Sequence, residues 1–138
     1  VVRDAMRGDV PTVEPGTSIL DLLESRMATE LEMAYVVVLG DTLLGLITVT
    51  DVKRVPIEAR PFTWVSQAMT PASKVATLPP DAPLEEGLSI LADRRLRQLV
   101  VMEGDKPIGL LTRAGVVRVI EVANVLPHES RNSETNDG

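Results

Sequence analysis

Gly45-Leu46-Ile47-Thr48-Val49-Thr50-Asp51 is the stretch whose reading decides the fold. An apolar run over residues 43–47 leads into it and predicts a strand. The glycine stands where the backbone must pass close to a neighbour. A hydroxyl, Thr48, and a carboxylate, Asp51, follow three residues apart. Residues 51–55 then predict a short helix, stopped by Pro56. Taken alone, the pattern has an ordinary structural explanation. Thr48 or Thr50 caps the helix and Asp51 complements its dipole. The stretch gains weight because most of it occurs twice.

The second copy is Gly109-Leu110-Leu111-Thr112-Arg113-Ala114-Gly115. Gly45 is matched by Gly109 and Thr48 by Thr112 at one common displacement. The preceding run, Tyr35-Val36-Val37-Val38-Leu39-Gly40-Asp41, is matched by Leu99-Val100-Val101-Met102-Glu103-Gly104-Asp105 at the same displacement. Further upstream, Thr12-Val13-Glu14-Pro15 answers to Thr77-Leu78-Pro79-Pro80, and Asp4-Ala5-Met6 to Gln67-Ala68-Met69. The chain therefore reads as two copies of one unit, residues 1–60 and 61–126, with a polar tail over 127–138.

Composition narrows the function. The chain has 138 residues, 44% of them hydrophobic but only 2% aromatic, so the core must be aliphatic. No apolar run approaches the ~20 residues of a membrane helix, and Arg3, Asp4 and Arg7 interrupt any signal-peptide pattern. A net charge of −6 argues against a nucleic-acid binder. Zero cysteines exclude disulfides and thiolate metal sites and fit a reducing, cytoplasmic setting. Val1 in place of methionine suggests a piece of a longer protein.

Within the first unit, residues 10–13 predict a strand closed by Glu14-Pro15-Gly16. Thr17 or Ser18 caps a helix that buries Ile19, Leu22, Leu23 and Met27. Two strands, 35–39 and 43–48, form a hairpin turning at Gly40-Asp41-Thr42. Residues 56–64 are a linker. The second unit repeats the plan. A strand over 74–78 precedes a helix with Pro83 at its first position and a buried stripe of Leu84, Leu88, Leu91 and Ala92. A hairpin over 99–102 and 107–112 follows. The last helix, 114–125, places Val116, Val119, Ile120 and Ala123 on one side, and the tail beyond Pro127 reads as disordered. Each unit is β-α-β-β-α, too small to bury its sheet alone. The expected fold is α/β (α+β): two such repeats packed sheet to sheet about a pseudo-twofold axis, with two equivalent clefts near the strand-to-helix turns.

These features resemble a tandem cystathionine-β-synthase (CBS) domain pair, or Bateman module, over residues 2–125. Gly45–Pro56 and Val65-Ser66-Gln67-Ala68-Met69-Thr70-Pro71 are most similar to pairs appended to site-2-type intramembrane zinc metalloproteases. Their His-Glu-x-x-His helix is absent, and the single histidine is His128. The resemblance implies the regulatory part of such a protease, joined to a membrane only through that parent protein. It also implies a homodimer and a regulatory adenine nucleotide (AMP, ADP, ATP or S-adenosylmethionine), with no obligatory cofactor.

Carried over from the family, the better cleft takes Thr48, Thr50 and Asp51 for the ribose. It takes Lys74, Val75, Ala76 and Thr77 against the adenine, with Arg97 and Gln98. The residue chemistry suits a nucleotide, because a carboxylate accepts from ribose hydroxyls and arginines favour phosphate. Arg94 and Arg95 are either part of that cationic cluster or a solvated helix end. The mirror cleft would use Val10, Pro11, Thr12, Met33, Ala34, Thr112, Arg113 and Gly115. Gly115 stands where the carboxylate should be, so this cleft is the weaker. No triad, zinc set or phosphate-binding glycine loop is present, so the expectation is no enzyme activity in this segment. The alternative is a ligand-free assembly module.

Overall fold

The computed structural model describes residues 1–126. The tail expected over 127–138, with His128, lies outside the described residues. Seven strands form two sheets, one in the order β1-β2-β3-β4 and the other β5-β6-β7. The first holds β1 (Thr12–Val13), β2 (Ala34–Leu39), β3 (Thr42–Thr48) and β4 (Thr70–Pro71). The second holds β5 (Thr77–Leu78), β6 (Gln98–Glu103) and β7 (Lys106–Thr112). The hairpins share one register. Val37 faces Gly45 as Val101 faces Gly109, and both ladders slip one residue at the next step. Gly40 and Gly104 supply the positive φ of the turns, 62° and 63°.

The helices are α1 (Ile19–Asp21), continuing through a π-type turn over Leu22–Met27 into α2 (Ala28–Glu30), then α3 (Val49–Arg54), α4 (Val65–Ala68), α5 (Leu84–Asp93) and α6 (Arg113–Val125). Of the two hydroxyls expected before α1, Ser18 is the cap, its Oγ accepting from the Asp21 N–H at 3.0 Å.

The apolar pattern resolves into three clusters. One lies under the first sheet, around Ile19, Leu22, Tyr35 and Ile47. Another lies under the second, around Leu91, Leu99, Leu111 and Val116. The third, Ala34, Val36, Leu46, Val100 and Leu110, is the seam where the two sheets meet face to face. The strands bury both faces, which is why they read as continuous aliphatic runs. Each fully buried Leu or Ile contributes about 1.5–3 kcal/mol.

The lead-in of each repeat packs into the other repeat's body. Val2 lies in the second cluster, and its N–H donates to the Ala82 carbonyl at 2.8 Å. Val65 lies in the first, its N–H donating to the Thr17 carbonyl at 2.8 Å. The chain continues along the hairpins, Thr70 pairing with Leu46 and Arg7 with Leu110. The close neighbour of Gly45 is thus backbone. A Cβ there would collide with the Thr70 carbonyl, and one at Gly109 would sit 3.0 Å from the Arg7 carbonyl.

Several expected boundaries shift. The strands read at 10–13 and 74–78 shrink to β1 and β5, because residues 72–74 wind into a 3-10 turn and only two residues of each segment pair. The helix read at 51–55 begins at Val49, because Thr48 rather than Thr50 is its cap. Pro83 is the cap of α5, with extended ψ of 143°, rather than its first turn. Ala92 is exposed; Gly87 takes its place in the stripe with Leu84, Leu88 and Leu91. Ile120 is 41% exposed, because it borders an open recess between α5 and α6 with Leu84 and Leu88. The 56–64 linker contains a 3-10 helix, Ile57–Phe62.

Candidate functional site

β3 ends at Thr48, and α3 begins at once. The Thr48 Oγ1 accepts from the Asp51 N–H at 3.2 Å, and the Asp51 Oδ2 accepts from the Thr48 N–H at 2.9 Å. This reciprocal pair is a capping box and explains the hydroxyl-x-x-carboxylate spacing locally. It leaves much of the carboxylate free. Among the described residues Oδ1 has only Arg54 Nη1 as an ion-pair partner, at 3.6 Å, and a carboxylate has about four acceptor positions. Asp51 is 12% exposed at its side chain, so its remaining acceptors look into a recess rather than open water.

That recess is a cleft of about 420 Å³ between the repeats. Of the residues expected there, Thr48, Thr50, Asp51, Lys74, Val75, Arg97 and Gln98 line it. Ala76 and Thr77 do not. Ala76 is buried in the second cluster with its carbonyl taken by the Val100 N–H at 3.0 Å, and Thr77 lies exposed in β5 beside Val100. Met33, expected in the mirror cleft, lines this one. Sequence reasoning missed Lys53, Arg54 and Thr70 as lining residues and left Arg95 undecided; it lines the cleft, and Arg94 does not. The missed cations had a signal, since Lys53 and Arg54 lie two and three residues after Asp51 on a helix of six residues.

The mirror residues are not gathered in one place. Val10 and Thr12 line a separate recess at the hairpin tips, with Val38 and Lys106. Thr112, Arg113 and Met33 border a broad groove along α6. The Pro11 carbonyl is used by the Val36 N–H at 2.9 Å, and Ala34 is buried in the seam. At Gly115, a Cβ would lie 3.1 Å from the Thr112 Oγ1 and 3.2 Å from the Ala5 carbonyl, so a side chain there fits only tightly. Arg113 points to protein: its Nη2 donates to the Leu91 carbonyl at 3.1 Å and lies 3.5 Å from that of Leu96. It ties down the loop between α5 and β6.

The corresponding loop of the first repeat is held differently. Arg7 donates to both Glu32 oxygens, at 2.8 and 2.6 Å, and reaches Asp9 at 2.9 Å. The Arg7 bond holds the Glu32 carboxyl below the usual carboxylate range. Nearby, burial and the bond to Glu30 push the Tyr35 phenol up, while Arg26 lies 5.0 Å over its ring. Among the described residues there is no cluster of three or more metal-ligating side chains, and no helix is long and apolar enough to cross a membrane.

The profile of the CBS domain matches residues 2–58 and again 65–122. No curated protein matches the chain by sequence. Among solved structures, the chain is similar to the CBS-pair protein CBSX2 from Arabidopsis thaliana, with 25% identity, a TM-score of 0.80, and coverage of 91% of this chain and 97% of that one. It is similar to CBSX2 in complex with AMP, with 26% identity, a TM-score of 0.78, and coverage of 89% and 97%. It also resembles the cytosolic domain of the Mg2+ channel MgtE in complex with ATP, with 26% identity, a TM-score of 0.70, and coverage of 83% and 46%.

Proposed function

The chain belongs to the CBS-domain family, carrying the domain twice, and from that membership we propose that it senses an adenine nucleotide in the cleft of Asp51. The carrying observation is the lining of that cleft. One partly free carboxylate stands beside two threonine hydroxyls, ringed by Lys53, Arg54, Lys74, Arg95 and Arg97. A carboxylate suits ribose hydroxyls and the cations suit phosphate. CBSX2 has been solved with AMP and MgtE with ATP, which supports this ligand class. Because the cleft is lined by both repeats, an occupant bridges them and favours one relative setting over another.

The similarity of Gly45–Pro56 and the Val65–Pro71 stretch to site-2-type protease appendages supports a regulatory role on the cytoplasmic side of such a membrane enzyme. Val117, Ile120, Val122 and Val125, all exposed on α6, support a homodimer. Calorimetry with AMP, ADP, ATP and S-adenosylmethionine tests the reading. Binding of at least one is expected, with a stoichiometry of one per chain. No heat from any of them at millimolar ligand overturns it.

A second reading, a ligand-free assembly module, is favoured by the missing carboxylate at Gly115. It predicts a dimer mass in light scattering that ignores nucleotide.

A further inference from the structure

We propose that the Asp51 cleft is built for the phosphate chain of a nucleoside di- or triphosphate, in preference to a monophosphate or a sulfonium nucleoside. This rests on the adenine-nucleotide reading above and narrows it to a ligand class.

The first observation is the charge of the lining. Lys53, Arg54, Lys74, Arg95 and Arg97 face the cleft, and among the described residues Asp51 is its only acid. The chain as a whole carries −6, so this concentration does not follow from composition. Among the described residues, Lys53, Lys74, Arg95 and Arg97 enter no ion pair, and Arg54 has only Asp51 at 3.6 Å. The cations come from three separate segments: the end of α3, the turn before β5, and the loop between α5 and β6. Grouping so many like charges without partners is unfavourable in the empty protein and becomes favourable only with a multiply charged anion. A single phosphate offers too few oxygens to engage five such groups, while a di- or triphosphate spans them. A sulfonium ligand is itself cationic and is repelled by the same set.

The second observation compares the repeats. Arg95 has φ of 53° and Leu31, its counterpart, φ of 59°. Both are non-glycine residues in the left-handed region, so the loop conformation belongs to the repeat and not to arginine. On that shared backbone the first repeat carries Leu31-Glu32-Met33 and the second Arg95-Leu96-Arg97. Both cations sit on the loop that lines the Asp51 cleft. The loop of the first repeat has none, and its one charge, Glu32, is paired with Arg7. The second repeat's loop thus brings two cations to the cleft of the free carboxylate, where the first repeat's loop brings Met33.

The test is calorimetry with magnesium-free AMP, ADP, ATP and inorganic tripolyphosphate at two salt concentrations. It uses the parent and a double variant, Arg95→Gln with Arg97→Gln. Both positions are exposed, and thermal unfolding checks that the variant stays folded. ADP and ATP are expected to bind at least about tenfold more tightly than AMP, with a steeper salt dependence. The double variant is expected to lose more affinity for ATP than for AMP, bringing the two to within about threefold of each other. AMP binding as tightly as ATP, or a variant that weakens both equally, overturns the proposal while leaving the nucleotide reading intact. Tripolyphosphate binding as tightly as ATP overturns the nucleoside part of both. No binding of any ligand overturns both together.

Discussion

Asp51 holds the cap of α3 and also offers an acceptor to the cleft, so its two roles must be separated by substitution. Asp51→Ala removes the oxygen that accepts from the Thr48 N–H at 2.9 Å. Losing a cap interaction costs about 0.5–2 kcal/mol, which lowers Tm by roughly 2–6 °C in a domain of this size. Asp51→Asn keeps one oxygen for the Thr48 N–H but gives up the charge and the second acceptor oxygen. The loss of the dipole interaction is about 0.3–1 kcal/mol, or roughly 1–3 °C. Affinity behaves the other way. A ribose hydroxyl bound to a charged acceptor contributes about 1.5–3 kcal/mol. In the asparagine variant the single carbonyl oxygen must serve either Thr48 or the ligand. Nucleotide affinity is therefore expected to fall about tenfold to 150-fold in both variants, while the stability loss is clearly larger in Asp51→Ala. Calorimetry and thermal unfolding on the two variants read both quantities. If Asp51→Asn binds as the parent does, or if affinity loss simply follows the loss of Tm across the pair, Asp51 acts only as a cap and the assignment of the cleft fails at its central residue.

Three further outcomes follow from the same contacts. Arg113→Val, which installs the residue found at the equivalent Val49, frees the Leu91 and Leu96 carbonyls; triphosphate affinity is expected to drop about threefold to tenfold by calorimetry, with partial recovery in Arg113→Lys. Gly115→Asp can form a second capping box with Thr112, but its Cβ lies 3.2 Å from the Ala5 carbonyl; stoichiometry by calorimetry is expected to stay at one per chain, because the facing loop has no cations. The Glu32 carboxyl is held below its ordinary value by Arg7, so its contribution to stability is present above about pH 4.3 and lost as the pH falls below it; urea unfolding across pH 3–7 is expected to show Glu32→Gln less stable than the parent near neutrality, with the gap closing in acid.

The repeat, the hairpins and the sheet seam were legible because each rests on local signals. Glycines mark both turns, aliphatic runs mark strands buried on both faces, and the displacement from Gly45 to Gly109 is constant. What escaped the sequence was non-local. The exchange of lead-ins, Val2 into one body and Val65 into the other, depends on how the repeats face each other. So does the strand Thr70–Pro71, which no propensity would nominate. The same holds at the site. Thr48 and Asp51 could be read from their spacing, since one turn of chain brings them together. Ala76 was misplaced because its carbonyl is already used inside the sheet, a pairing that only the register reveals.

The two repeats share a backbone and diverge at a few matched positions, and the divergence has one direction. Asp51 is answered by Gly115, Val49 by Arg113, Leu31 by Arg95 and Met33 by Arg97. In the first repeat the strand-to-helix turn carries a carboxylate open to the cleft and an apolar neighbour. In the second the carboxylate is gone, the Ala5 carbonyl lies 3.2 Å from where a Cβ would stand, and the arginine beside it turns inward to hold the loop bearing Arg95 and Arg97. The substitutions that remove the acceptor from the second turn thus accompany the ones that fix the far wall of the first cleft. Under the proposed function, what a symmetric pair would divide between two equal sites is concentrated here in one, and the second motif acts on the ligand only through the loop it holds.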